Sequence, residues 1–212
     1  MRKRAMLVSA AMLFASASAP LSAETTEVLK NDKVVVLEVK LAPGEQEMVT
    51  GRYPSVVVYL SGDEVEMKTV DGMEEQAIVE RGKTVNVPAR SGVLKNTGSK
   101  ELRLVRVEFL TAGSQEMWGM TGLPPNYKMI FEDEHSRTYD IKIARHEWEA
   151  QHTHHDRAVV CLSGARLEHV LPDGSVQPST LKTDEVDWRQ GQTHKGHNLG
   201  DTDLWVIAIE PK

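Results

Sequence analysis

With 212 residues, 40% of them hydrophobic, and a formal net charge of −6, the chain is long enough for one sizeable domain or two small ones. Its negative charge repels phosphate backbones, so nucleic acid is not an expected partner. Cys161 is the only cysteine, which excludes an intrachain disulfide.

The chain begins with the pattern of an export signal. Three basic residues at positions 2–4 precede an apolar, small-residue stretch at positions 5–19, and cleavage is expected after Ala23. The apolar stretch is shorter than the ~20 residues that span a bilayer, and an uncleaved anchor is the alternative. We therefore predict a signal peptide at 1–23, a periplasmic or secreted protein, and no membrane association after cleavage.

The remainder of the chain has the pattern of short β-strands. Runs rich in Val, Ile, Leu and Thr alternate with glycine and Asp-Gly turns, and no segment shows a helical stripe over three turns. The clearest runs lie at 34–41, 55–60, 83–87 and 102–109. Asp-Gly pairs at 71–72 and 173–174 are typical of tight hairpin turns.

The two halves of the chain repeat each other at an offset of 102 residues. The segment 57–62 (Val-Val-Tyr-Leu-Ser-Gly) falls on 159–164 (Val-Val-Cys-Leu-Ser-Gly). Repeats of this kind indicate a duplicated structural unit. We predict two all-β units, barrels or jelly rolls, at 24–112 and 129–212, joined by a Gly- and Pro-rich linker at 113–128.

The histidines are distributed unevenly between these units. All eight lie at or beyond His135. On a strand, residues two apart project from the same face, so His152 and His154 point together, with His194 about forty residues later. The pair alone is equally compatible with a metal site and with a surface strand that carries two solvated imidazoles.

The sequence from 29 to 211 resembles the cupin superfamily. In the second unit a His-x-His pair, a strand-ending glycine, a later histidine and an asparagine match the two cupin motifs. These residues are His152, His154, Gly164, His194 and Asn198. The resemblance implies a bicupin with two tandem double-stranded β-helix (jelly-roll) barrels, and the segment at 1–23 implies that it is exported. It also implies a metal site of His152, His154 and His194 in the second barrel only.

The chain departs from the cupin pattern at several positions. The motif glutamate would fall near Ala158 or Val159, neither of which can bind a metal. Asp156 is the nearest carboxylate, as a fourth ligand or as a group that holds a ligand or water in place. In the first unit the three histidine positions are occupied by Thr50, Arg52 and Gly92. We therefore expect the first unit to serve as a packing partner or to bind a different ligand.

Three imidazoles and an open coordination position suit one divalent transition metal ion (Fe, Mn, Zn, Ni or Cu), and the ligand set does not choose among them. Three further residues are pocket candidates. His155 and His197 would lie at the mouth of the barrel or face solvent, and Arg157 would anchor an anionic substrate or form a surface ion pair. His146 and His169 are predicted to lie on the surface.

Two functions agree with these features. The first is a metal-dependent enzyme, oxygenase-like or isomerase/hydrolase-like, that acts on a small organic molecule. The second is a non-catalytic cupin that binds a metal or small ligand for sensing, storage or stress protection. An oligomeric structural protein with vestigial sites is a third interpretation. A small-molecule ligand and a homodimer are compatible with the first two.

Overall fold

The computed structural model describes residues 22–212, and these residues are organised in β-strands without a helix. Almost all of the predicted export signal, at 1–23, lies outside this range. Its last residue, Ala23, donates its backbone N–H to the carbonyl of Gln46 at 3.1 Å. Among the described residues no helix has the length and apolar character needed to cross a membrane.

The first half of the described chain contains nine strands in two antiparallel sheets. They are β1 (Glu24–Lys30), β2 (Val34–Leu41), β3 (Gln46–Val49), β4 (Ser55–Tyr59), β5 (Asp63–Thr69), β6 (Glu74–Val79), β7 (Thr84–Val87), β8 (Gly92–Asn96) and β9 (Leu102–Phe109). A five-stranded sheet has the order β1-β2-β9-β4-β7, and a four-stranded sheet has the order β3-β8-β5-β6.

The second half contains a further nine strands. They are β10 (Tyr127–Glu132), β11 (Ser136–Ile143), β12 (His152–Thr153), β13 (Arg157–Ser163), β14 (Ala165–Val170), β15 (Val176–Leu181), β16 (Val186–Arg189), β17 (Thr193–Asn198) and β18 (Leu204–Pro211). The sheet orders are β10-β11-β18-β13-β16 and β12-β17-β14-β15. Each strand occupies the place of the strand nine positions earlier, so the two halves have the same sheet topology.

The two five-stranded sheets pack against each other through a shared core. This core contains Val34, Val36, Val56, Val58, Leu60, Val105, Val107 and Phe109 of the first half, and Ala158, Val160, Leu162, Ile207 and Ile209 of the second. The opposite face of each five-stranded sheet covers a separate core within its own half. Both faces of β4 and β13 are therefore buried, which explains why these strands are apolar almost without interruption.

Ion pairs reinforce the contact between the halves. Asp184 of the second half accepts hydrogen bonds from Arg81 and Arg103 of the first, each at 2.6 Å. Lys33 likewise reaches Asp156 at 3.0 Å. These bridges add polar contacts between the two halves beside their shared apolar core.

The structure confirms the all-β prediction and differs from the sequence analysis in two details. In none of the four sheets does the strand order close on itself, so each half consists of two open sheets and not one closed barrel. In addition, β10 begins at Tyr127, which lies inside the segment predicted as a linker. The side chain of Tyr127 reaches the site described next.

Candidate metal centre

The strand pairing of the second half brings the three predicted ligands together. β12 pairs with β17 so that His152 lies directly opposite His194. Facing residues of an antiparallel pair project from the same side of the sheet. His154 follows two positions after His152, and the potential ligand atoms of all three histidines lie within 4.8 Å of one another. All three side chains are buried.

A hydrogen bond fixes which nitrogen of His152 faces the centre. Nδ1 of His152 lies 2.8 Å from the carbonyl oxygen of Ala150, which can only accept a hydrogen bond. The proton of His152 is therefore on Nδ1, and Nε2 presents a lone pair. Nδ1 of His154 is buried and has no hydrogen-bond partner among the described residues, and a carboxylate oxygen of Glu210 lies 3.5 Å from it. A carboxylate behind an imidazole is the arrangement that orients histidines in metal sites.

Burial keeps the imidazoles of His154 and His194 uncharged. Loss of solvent, followed by the positive charge of Arg157, lowers the pKa of His154 far below its usual value. Burial, with His169 as the next cause, lowers the pKa of His194 to about 2. Neutral imidazole is the form that binds metal ions, so this pair is ready for coordination at neutral pH.

The donor set fits a divalent cation. The Nε2 atoms of His152 and His154 are 2.8 Å apart. The hydroxyl of Tyr127 lies 3.0 and 2.9 Å from these two atoms, but its single proton satisfies only one of them. If His154 carries its proton on Nδ1, on the side of Glu210, two lone pairs meet at this distance and repel each other without a nearby positive charge. A metal ion held by the three histidines would supply that charge.

Two residues of the centre were not identified from the sequence. Glu149 is 5% exposed, and its Oε2 lies 3.7 Å from Nε2 of His152. Tyr127 is buried too, and burial, followed by the charge of Glu149, raises its pKa well above the usual value, so its hydroxyl keeps its proton. The repeat offers a signal for Glu149, since the offset of 102 residues pairs it with another glutamate, Glu47.

A cavity of about 160 Å³ adjoins the histidines. Arg157, for which the sequence left a substrate anchor and a surface ion pair open, lines this cavity and is 6% exposed. Burial lowers the pKa of this guanidinium. Among residues 22–212 no carboxylate lies within 4.0 Å of it, and it donates to the carbonyl of His155 at 3.3 Å. The cavity thus contains a buried cation without an anionic partner.

The structure places Asp156 away from the three ligands. Its carboxylate pairs with Lys33 and accepts the backbone N–H of Gly191 at 2.8 Å. The alternation expected from His152 does not reach it, because β12 ends at Thr153 and residues 154–156 form a break before the next strand. Asp156 therefore does not belong to the histidine group.

The remaining histidines are divided between the surface and the cavity. His155 stacks on Trp118 with ring centroids 3.8 Å apart. His197 stacks on Trp148 at 4.1 Å and faces the opposite side of β17 from His194. The prediction that His169 lies on the surface is wrong. Its side chain is half-buried and lines the cavity, and its ring centroid lies 4.4 Å from that of His194. Burial lowers the pKa of His169 to about 4.

Comparisons with known proteins support the fold. No protein-family model matches the sequence, and no curated protein matches it. Solved structures that match include AerE from Microcystis aeruginosa (14% identity, TM-score 0.61, covering 90% of this chain and 97% of that one). Another match is a cupin 2 conserved barrel domain protein from Leptotrichia buccalis, with 13% identity and a TM-score of 0.58. The match covers 92% of this chain and 91% of that one. A formate complex of oxalate decarboxylase from Lactobacillus farciminis also matches, with 10% identity and a TM-score of 0.63. This match covers 92% of this chain and 83% of that one. At such identities the likeness concerns architecture, and the fold of this chain is the cupin fold.

Proposed function

We propose that the chain consists of two tandem cupin units, of which only the second binds a metal ion. The equal sheet topology of the halves supports the tandem arrangement. His152, His154 and His194 would hold one divalent transition metal ion, and the first half contains no histidine. The signal-like segment at 1–23 supports export to the periplasm or the medium.

We further propose that this centre is the active site of an enzyme that acts on a small organic anion. The buried, unpaired guanidinium of Arg157 in the cavity is the observation that carries this proposal. A guanidinium binds a carboxylate in a bidentate manner. The cavity, at about 160 Å³, is smaller than the roughly 300–1,000 Å³ of most small-molecule pockets, so the substrate is small.

The chain's own residues have defined tasks in such a reaction. A bound divalent ion supplies a Lewis acid that activates water or a substrate oxygen. Arg157 orients the anion, and the protonated hydroxyl of Tyr127 is placed to donate a proton near the Nε2 atoms of His152 and His154. Apolar side chains along the cavity wall, among them Ile141, Val159 and Leu204, limit the access of water.

Two solved structures of similar fold agree with this substrate class and cofactor. The oxalate decarboxylase from Lactobacillus farciminis was solved with formate, and the one from Bacillus subtilis has Mn(II) centres. We extend to this chain only the general class, a small carboxylate and a divalent ion.

A non-catalytic metal- or ligand-binding cupin is the second candidate. The hydroxyl of Tyr127 lies about 3 Å from both Nε2 atoms and occupies space beside the centre. If this side chain stays in place when the ion is bound, it restricts the position that a substrate needs. Such a protein would bind the ion without turnover.

Metal analysis of protein purified without a histidine tag tests the proposal. We expect one equivalent of metal in the parent protein and none in a His152→Ala/His154→Ala variant. A His155→Ala/His197→Ala variant is the matched control, since it also removes two imidazoles but leaves the centre intact. An equal metal content in all three proteins would show that His152 and His154 do not form the proposed metal site. Turnover of small carboxylic acids by the parent, lost in the first variant, separates the enzyme from the binding protein.

A further inference from the structure

Both halves of the chain bury a glutamate at the same structural position. Glu47 lies in β3 and is 7% exposed, and Glu149 lies just before β12 and is 5% exposed. The residue before each glutamate pairs with an equivalent position of the opposite strand: Gln46 with Lys95, and Trp148 with His197. The duplication therefore provides an internal comparison of one carboxylate in two environments.

In the first half this carboxylate is neutralised by an arginine. Arg106 projects from β9 and binds Glu47 through two contacts, Nη1 to Oε1 at 2.5 Å and Nη2 to Oε2 at 2.7 Å. Both side chains are buried. A buried charge requires such a partner, because the protein interior solvates ions poorly.

In the second half the arginine is replaced by alanine. β4 pairs with β9 so that Val57 lies opposite Arg106, and β13 pairs with β18 so that Val159 lies opposite Ala208. Ala208 thus occupies the position of Arg106 and cannot neutralise Glu149.

No other fixed cation takes the place of the missing arginine. In the described part of the chain, no Lys or Arg nitrogen lies within 4.0 Å of Glu149. Oε1 accepts a hydrogen bond from Nδ2 of Asn126 at 3.1 Å, Oε2 lies 3.7 Å from Nε2 of His152, and the hydroxyl of Tyr127 is a further hydrogen-bond partner of the carboxylate. The guanidinium of Arg157 shares the cavity but remains beyond ion-pair distance. The carboxylate therefore lies beside the ring of His152, at the edge of the group that the three histidines form.

We propose that Glu149 is the carboxylate ligand of the metal centre, replacing the glutamate that the cupin motif lacks at Ala158 and Val159. This inference rests on the proposed function, since it assumes that an ion occupies the histidine site. The ion has the role in the second half that the guanidinium of Arg106 has in the first. Each unit has a buried carboxylate at the same position. Its counter-charge is an arginine side chain in the first unit and a metal ion in the second.

Calorimetric titration of Mn(II) into chelator-treated protein tests the role of Glu149. We expect Glu149→Gln, which keeps size and polarity, to weaken Mn(II) binding by more than about 100-fold, beyond the loss typical of a residue that only supports a ligand. Glu147→Gln, at an exposed position two residues earlier, is the matched control and should bind as the parent does. The visible spectrum of the Co(II)-substituted protein should also change in Glu149→Gln, because an oxygen ligand is lost.

A second variant rebuilds the pair of the first half. Ala208→Arg places a guanidinium beside Glu149, and we expect it to abolish Mn(II) binding, whereas the uncharged Ala208→Met keeps it. If Ala208→Arg does not fold, the titration of Glu149→Gln decides alone. A parent that binds Mn(II) together with a Glu149→Gln variant of equal affinity would overturn this inference only. A parent that binds no divalent metal would overturn the proposed function itself.

Discussion

Replacing Arg106 with methionine removes the guanidinium that neutralises Glu47 and leaves a carboxylate buried without a cation. The two side chains are only 5% and 8% exposed, so water cannot take over the role of the guanidinium. Breaking a buried ion pair in this way costs about 3–5 kcal/mol. Since a typical domain has about 5–15 kcal/mol of stability, Arg106→Met should remove a large share of it.

Urea denaturation of the metal-free protein at neutral pH measures this loss. The double variant Glu47→Gln/Arg106→Met contains neither charge, and we expect it to recover most of the stability, to within about 2 kcal/mol of the parent. The comparison isolates the unpaired charge from the change in packing, which both variants share. A loss below about 1 kcal/mol in Arg106→Met, or an equal loss in both variants, would refute the reasoning.

Three further predictions concern the second half. Because burial lowers the pKa of His154 and His194 below the unfolded value of ~6.5, their contribution to the stability of the metal-free protein is complete above that pH. It should be lost at about 1.4 kcal/mol per pH unit for each histidine as the pH falls below ~6.5, and a flat urea profile between pH 7 and 5 would contradict this. Burial raises the pKa of Cys161 to about 11, so a thiol reagent should label the native protein only as fast as it unfolds; rapid labelling at neutral pH would show an exposed thiolate. Asn198→Ala removes side-chain hydrogen bonds to the carbonyls of Ile143 and Thr202, at 3.0 and 2.9 Å, and should cost about 3 kcal/mol. If the Asn198→Ala variant unfolds at the same midpoint temperature as the parent protein, these hydrogen bonds do not stabilise the fold.

The strands were predictable from the sequence because local features determine them. Alternation and turn residues marked runs such as 34–41 and 102–109, which form strands with the same bounds. The sequence also indicated the relation of His152 and His154, since two residues of one short strand segment need only local geometry to point together. His194 followed from the cupin resemblance.

The parts of the centre that the sequence did not indicate depend on distant contacts. Tyr127 reaches the histidines from a segment whose glycines and prolines indicated a linker, and only the pairing of β10 with β11 positions its hydroxyl. Glu149 precedes its strand, so no alternation pattern connects it to His152. Asp156 was expected to share the face of His152 because strand alternation was applied across residues 154–156, where the strand is in fact interrupted. His169 belongs to another strand of the same sheet, and its proximity to His194 is visible only in three dimensions.

Anomalous diffraction from crystals soaked in a zinc salt, recorded at the zinc absorption edge, tests the central claim most directly. We expect a single strong peak in each chain, about 2.0–2.2 Å from a nitrogen of each of His152, His154 and His194. The absence of a peak between these three rings, or peaks confined to surface residues, would contradict a metal centre in the second half.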